Sequence, residues 1–292
     1  MKIAIASGKG GTGKTMVTAS LAATWGKPVV AVDLDVEEPN LHLFVKPKIS
    51  GNRQATIEVP VVDESQCTFC RECAELCEFK AISILGTVAL VFPEMCHGCG
   101  GCMAVCPTGA ITADHRILGE ISWAQIETGG FMMGRLRVGE AMSPPLIREV
   151  LAEVMHSGRF DSSADILLDA PPGVSCPAVN AVIESDGIVL VTEPTPFGLF
   201  DLRLAYQAFA PLNKTMGVVI NRCGLGNDDV YALCREVGLP VFAQIPYDRK
   251  IAEAYAEGRV IADSSSEMAA LFADLAQTIK DAIQPSREAC HA

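Results

Sequence analysis

No run of eighteen apolar residues occurs in the 292-residue sequence, so no segment is suited to crossing a bilayer as a helix. Positive charge is in short supply: 23 Lys and Arg stand against 35 Asp and Glu, for a formal net charge of −12. Non-specific affinity for nucleic acid comes from cations that neutralise phosphates, so this balance excludes a broad nucleic-acid surface, and no nucleic-acid partner is expected. No secretory leader is expected either, because a glycine-rich loop at Gly8 stands where its apolar region would fall. The expected location is cytoplasmic. Core material is plentiful, with 49% hydrophobic residues, enough for a large α/β domain and something smaller. Cysteine is plentiful as well. Eight of the twelve fall between Cys67 and Cys106, a clustering that points to metal rather than to disulfides.

The strongest local signal is residues 7–15, S-G-K-G-G-T-G-K-T, between the apolar run Ile3-Ala4-Ile5-Ala6 and a helix-like segment from Met16. A buried strand followed by a glycine-rich turn and a helix is the setting of a phosphate-binding loop, whose backbone N–H groups point at phosphate oxygens. Gly8, Gly10, Gly11 and Gly13 allow the close approach, with Thr12 among them. Lys14 is placed to meet the β and γ phosphates, and the Thr15 hydroxyl to complete the shell of a magnesium ion.

Further apolar runs occur at 28–35, 165–169, 187–192, 217–221 and 241–245, separated by helix-like stretches such as 145–156 and 199–209. Strand and helix alternate, so the fold class is α/β with a mostly parallel sheet, and loops at the carboxyl ends of its strands should build the ligand site. At the tail, Met268, Leu271, Leu275, Ile279 and Ile283 recur at helical spacing beside a mixed polar face of Asp274, Lys280 and Asp281. This pattern predicts a packing helix and no membrane anchor.

The alternation is interrupted once. Cys67-x2-Cys70-x2-Cys73-x3-Cys77 recurs as Cys96-x2-Cys99-x2-Cys102-x3-Cys106, and Ala81-Ile82 is answered by Ala110-Ile111 at the same offset. C-x2-C-x2-C curls the backbone around three corners of an iron–sulfur cube, whereas zinc sites use paired C-x2-C spacings that this repeat does not match. The segment resembles a bacterial-type ferredoxin. That resemblance implies an inserted α+β ferredoxin-like domain at 57–116, flanked by the two parts of the host at 1–56 and 117–292. It implies one 4Fe-4S cluster on Cys67, Cys70, Cys73 and Cys106 and a second on Cys96, Cys99, Cys102 and Cys77. Glu78 follows Cys77 where Pro107 follows Cys106, and a carboxylate there should lower the potential of the second cluster. Eight acidic residues face Arg71, Lys80 and Arg116 in this segment, so a redox or metalloprotein partner should present a basic docking surface. With few large apolar side chains, the segment should not fold without its clusters.

The host resembles the MinD/ParA-like P-loop ATPases, whose loop reads K-G-G-x-G-K-T as residues 9–15 do here. The resemblance implies a P-loop NTPase fold binding ATP and Mg2+ as a nucleotide-sandwich homodimer, with Lys9 reaching the partner's nucleotide alongside the catalytic Lys14. It implies that Asp33 lies near the magnesium, that Asp35 orients the attacking water and that Asp169, in D-A-P-P-G, stands in the magnesium's outer shell. Asn221-Arg222 and Pro246-Tyr247-Asp248 resemble the adenine-recognition loops, the lesser alternative being that an Asn at a strand end simply caps a turn. Host and insert together look like MinD-superfamily ATPases carrying a ferredoxin domain, related to the nitrogenase iron protein and the Mrp-type cluster carriers. That relation singles out Cys176 as a switch-linked thiol or metal ligand, or else an ordinary buried cysteine; a partner cysteine near Ser143 is missing. Cys223 and Cys234 read as structural and Cys290 as tail. The expected function is ATP hydrolysis that gates electron transfer or metallocentre maturation, the alternative being a positioning or scaffold ATPase with structural clusters.

Overall fold

The computed structural model describes residues 1–289, with side chains as far as Ile283, so Cys290 lies outside the described residues. The elements in chain order begin with β1 (Lys2–Ala6), α1 (Lys14–Thr24), β2 (Val29–Asp33), α2 (His42–Val45) and β3 (Lys48–Val62). There follow α3 (Glu72–Leu76), β4 (Ile82–Leu85), β5 (Val88–Val91), α4 (Gly101–Ala104), β6 (Ile111–Ile126) and β7 (Gly129–Leu136). The remainder alternates as α5 (Ser143–His156), β8 (Asp165–Asp169), α6 (Cys176–Val182), β9 (Gly187–Thr192), α7 (Pro196–Phe209) and β10 (Thr215–Cys223). It closes with α8 (Asp229–Val237), β11 (Val241–Pro246), α9 (Arg249–Ala256) and α10 (Ser266–Ala289).

The chain divides into two compact units. One takes Met1–Asn52, Ile121–Arg135 and the chain from Ile147 onward; the other takes Arg53–Glu120 and Leu136–Leu146. The second unit is wider than the 57–116 read from the sequence and gathers a separate stretch, 136–146.

In the larger unit the strands run β11-β10-β9-β1-β8-β2-β7, and each of these neighbouring pairs is parallel, as the alternation predicts. β6 and β3 continue the order past β7, and each is divided between the units. Central strands covered on both faces must be apolar throughout, and β1, β2 and β9 are buried almost residue for residue. Trp25, Phe131 and Phe272 fill the core between sheet and helices. Met268, Leu275, Ile279 and Ile283 of α10 are buried in it, each contributing about 1.5–3 kcal/mol. The tail helix is therefore a packing element. Among the described residues no helix is long and apolar enough to cross a membrane.

In the smaller unit the sequence repeat becomes a backbone repeat. Phe69, Arg71 and Lys80 adopt left-handed φ values of 57°, 74° and 53°, and Gly98, Gly100 and Gly109, 29 residues on, adopt 64°, 72° and 65°. Arg71 and Gly100 each precede a short helix, α3 and α4. Three non-glycine residues held in that region cost about 1–2 kcal/mol each, so the surrounding structure and not local preference sets the path. Ile82, Ile84 and Ile111 are buried with Cys73 in a small core against which Cys77, Cys102 and Cys106 lie.

Candidate functional site

β1 ends at Ala6 and the chain turns through residues 7–13 into α1. Gly8 is pressed against the main chain: a Cβ there would lie 2.1 Å from the Asp201 carbonyl oxygen. Gly13 takes φ 98° at the helix entrance, where a Cβ would sit 2.5 Å from Asn221 Nδ2. Asn221 Nδ2 donates to the Thr12 carbonyl at 2.8 Å and so braces the loop from β10. Its Oδ1 accepts from the Arg222 N–H at 2.8 Å, so the side chain works as a turn cap and a brace.

Lys14 is 6% exposed at the start of α1. Burial lowers its ammonium below the usual range, while Asp169, Asp35 and Asp33 pull it back up. Asp33 is fully enclosed at the end of β2, and its carboxylate is committed to the loop that follows: Oδ2 accepts from the Asn40 and Leu41 N–H groups at 2.9 Å each, and Oδ1 from the Asp35 N–H at 3.1 Å. Burial and the nearby Asp169 charge hold Asp33 well above the usual carboxylate range. Asp35 is half-buried and raised by burial, with the Lys14 charge opposing. Asp169, at the end of β8, is pushed up to about 6 by burial against the pull of Lys14, Thr15 and Thr18. Its Oδ1 accepts from Thr18 Oγ1 at 3.1 Å, whereas Oδ2 and Thr12 Oγ1 are buried with no hydrogen-bond partner. A buried carboxylate oxygen and a buried hydroxyl without partners, beside a lysine and a glycine loop, suit a magnesium-bound phosphate.

Next to the loop lies a cleft lined by Gly11, Gly13, Met16, Asn221, Arg222, Pro246, Tyr247, Asp248, Ile251, Ala252 and Tyr255. Both sequence-predicted adenine loops reach it. Met16, Ile251 and Tyr255 were not legible as site residues, because helix residues with apolar side chains look like packing until the fold brings them to a common wall. Asp248 also caps α9, accepting from the Lys250 N–H at 2.8 Å. Lys9 points to Glu193, another residue that no motif marked, at 2.6 Å.

The cysteines of the smaller unit line two cavities. One is walled by Cys67, Cys70, Cys73 and Cys106 with Ile84 and Ile111; the other by Cys77, Cys96, Cys99 and Cys102 with Leu76, Glu78 and Phe79. Each set draws three cysteines from one repeat and the fourth from the other. Amide N–H groups of Phe69, Ala81 and Gly98 donate to the sulfurs of Cys67, Cys77 and Cys96 at 3.4 Å each. Burial pushes up the thiols of Cys73 and Cys102, the third cysteine of each run. Among the described residues no three His, Cys, Asp or Glu side chains converge tightly enough for a single metal ion. Thiolates around a multi-atom cluster stand farther apart than around one ion, so four cysteines about a cavity suit the former.

Cys176 is exposed at the first position of α6, which removes the reading of it as an ordinary buried cysteine. Cys234 is buried and Cys223 half-buried beside Tyr231, as structural cysteines are.

The profile of the CobQ/CobB/MinD/ParA nucleotide binding domain matches residues 3–261. An uncharacterised protein of Methanocaldococcus jannaschii is 29% identical over 289 residues, covering 97% of this chain and 98% of that one. An iron-sulfur cluster carrier protein of the same organism is 24% identical, over 88% of this chain and 76% of its own length. Among solved structures, the septum site-determining protein MinD of Pyrococcus horikoshii, complexed with Mg-ADP, matches 95% of each chain at 25% identity with a TM-score of 0.57.

Proposed function

The chain belongs to the CobQ/CobB/MinD/ParA nucleotide-binding domain family, and from that premise we propose that it is an iron–sulfur ATPase in which nucleotide-driven dimer switching gates electron transfer, or maturation of a partner's metallocentre, through two 4Fe-4S clusters. The observation that carries this reading is the presence, in one chain, of a braced phosphate loop and two cavities each walled by four cysteines. The likeness to an iron-sulfur cluster carrier points the same way.

In this reading the N–H groups of residues 8–13 and the buried Lys14 bind the phosphates of ATP. Thr15 and the free oxygen of Asp169 hold the magnesium in place. Asp35, facing the Lys14 charge, orients the attacking water, and Lys9 adds a second cation from the partner chain at the developing phosphoryl charge. The cleft beside Gly11 takes the base between Arg222, Pro246 and Tyr255. In the smaller unit, Cys67, Cys70, Cys73 and Cys106 hold one cluster and Cys77, Cys96, Cys99 and Cys102 the other. Amide donors to the sulfurs spread the thiolate charge. The clusters supply one-electron storage, and the acidic surface around them favours a partner with a basic face.

Anaerobic purification tests this directly. Iron and sulfide equal to two four-iron clusters per chain, together with ATP hydrolysis lost in Lys14→Ala, support the reading; a zinc-loaded or metal-free protein that hydrolyses ATP normally would overturn it.

A positioning or scaffold ATPase with structural clusters is the second reading, favoured by the likeness to MinD. It predicts that oxidising or reducing the clusters changes neither nucleotide turnover nor partner binding.

A further inference from the structure

Glu193 follows β9, and its carboxylate joins two cations. The side chain is 10% exposed; Oε1 accepts from Lys9 Nζ at 2.6 Å and Oε2 from Arg222 at 2.8 Å. Thr195 Oγ1 stands 3.3 Å from Oε1, and the Lys9 ammonium lies over the Phe197 ring, 5.7 Å from its centroid. Burial works to raise the Glu193 carboxyl, but Lys9 and Arg222 outweigh it and hold it below the usual range. The carboxylate is therefore ionised and fully engaged inside its own chain.

An ammonium held 2.6 Å from a carboxylate of its own chain must loosen or share that contact before it can serve phosphates on another chain. We propose that Glu193 is the positioning residue of Lys9, storing the ammonium in cis in the nucleotide-free monomer and releasing it when two chains close around ATP. This rests on the dimer reading given above. Arg222 makes the release reversible. When Lys9 leaves, the guanidinium remains on Oε2, so the enclosed carboxylate is not left without a cation, a state that would be strongly unfavourable. The Phe197 ring, 76% exposed, keeps the stored ammonium on an apolar shelf at the surface. Glu193 thus sets how readily the chain dimerises, and the Lys9–Glu193 pair opposes closure until ATP and the second chain offer more.

The test compares wild type with Glu193→Gln, which keeps the shape of the side chain and loses its charge. In nucleotide-free protein, acetic anhydride labelling of Lys9, read by peptide mass spectrometry, is expected to rise several-fold in the variant. In wild type alone, Lys9 labelling is expected to rise with salt, which screens the pair even if the variant folds poorly. With Mg-ATPγS, sedimentation should show the variant dimerising at about fivefold lower protein concentration, the scale of one partly exposed ion pair. Equal Lys9 labelling in wild type and variant, with no salt response, overturns the storage. Increased labelling with an unchanged or higher dimerisation threshold overturns the control of closure. A wild-type chain that stays monomeric at every concentration with Mg-ATPγS overturns the dimer reading itself, and the labelling contrast then separates that failure from loss of the stored pair.

Discussion

Thr18 Oγ1 donates a 3.1 Å hydrogen bond to Asp169 Oδ1, while Asp169 Oδ2, enclosed in the same site, receives none. Hydrogen-bond donors of the protein thus satisfy one oxygen of the carboxylate and not the other. Native proteins rarely leave a buried oxygen unpaired without a use for it, and in the reading proposed above the use is the magnesium that accompanies the nucleotide.

Asp169 makes stability and function pull in opposite directions. A carboxyl whose folded-state pKa lies above its unfolded value adds stability that is complete below about 3.8 and lost as pH rises through about 6. Scanning calorimetry of nucleotide-free protein is expected to show Tm falling as pH rises across that window. Asp169→Asn should raise the Tm at neutral pH and abolish the further rise that Mg-ATP gives the wild type. A lower Tm in the variant contradicts the account.

Asp33 is held by three backbone donors of the loop it begins. Asp33→Asn turns one acceptor oxygen into a donor facing those N–H groups, at a cost of about 1–3 kcal/mol. Hydrogen exchange should speed up at residues 34–41 while β1 and β9 stay protected. Unchanged exchange in the loop would show that the carboxylate does not organise it.

The walls of the two cavities predict which cysteines share a cluster. Cys106→Ser should alter the same spectroscopic signal as Cys70→Ser, and Cys77→Ser the same signal as Cys99→Ser. Pairing within each repeat instead would refute the crossed arrangement. Glu78 lines the second cavity, so that cluster should have the lower potential, and Glu78→Gln should raise it without moving the other.

The phosphate loop, the parallel strands and the packing face of α10 were all legible, because each is written in local spacing: glycines around a lysine, apolar runs of strand length, a helical period. The repeat itself was legible in the spacing, whereas the crossed cysteine sets came only with the resemblance to bacterial-type ferredoxins. The long strands β3 and β6 were not legible as such. In β3 only Ala55, Ile57 and Val59 alternate cleanly as buried positions, and the polar residues from Lys48 to Gln54 hide the start of the strand. Glu193 escaped for a different reason. Its role depends on Lys9 and Arg222 meeting across more than two hundred residues of chain, and no spacing records that. Tyr255 and Ile251 likewise read as ordinary helix residues until α9 is placed beside the loop.

The central claim is that nucleotide state controls the clusters, and the rate at which reduced protein passes electrons to a one-electron acceptor tests it most directly. Protein purified anaerobically and reduced is mixed with the acceptor in the presence of Mg-ATP, Mg-ADP or no nucleotide, alongside Lys14→Ala. The account predicts a rate with ATP that differs from the other two conditions, and a variant whose rate ignores nucleotide. Identical rates in wild type under all three conditions would contradict it.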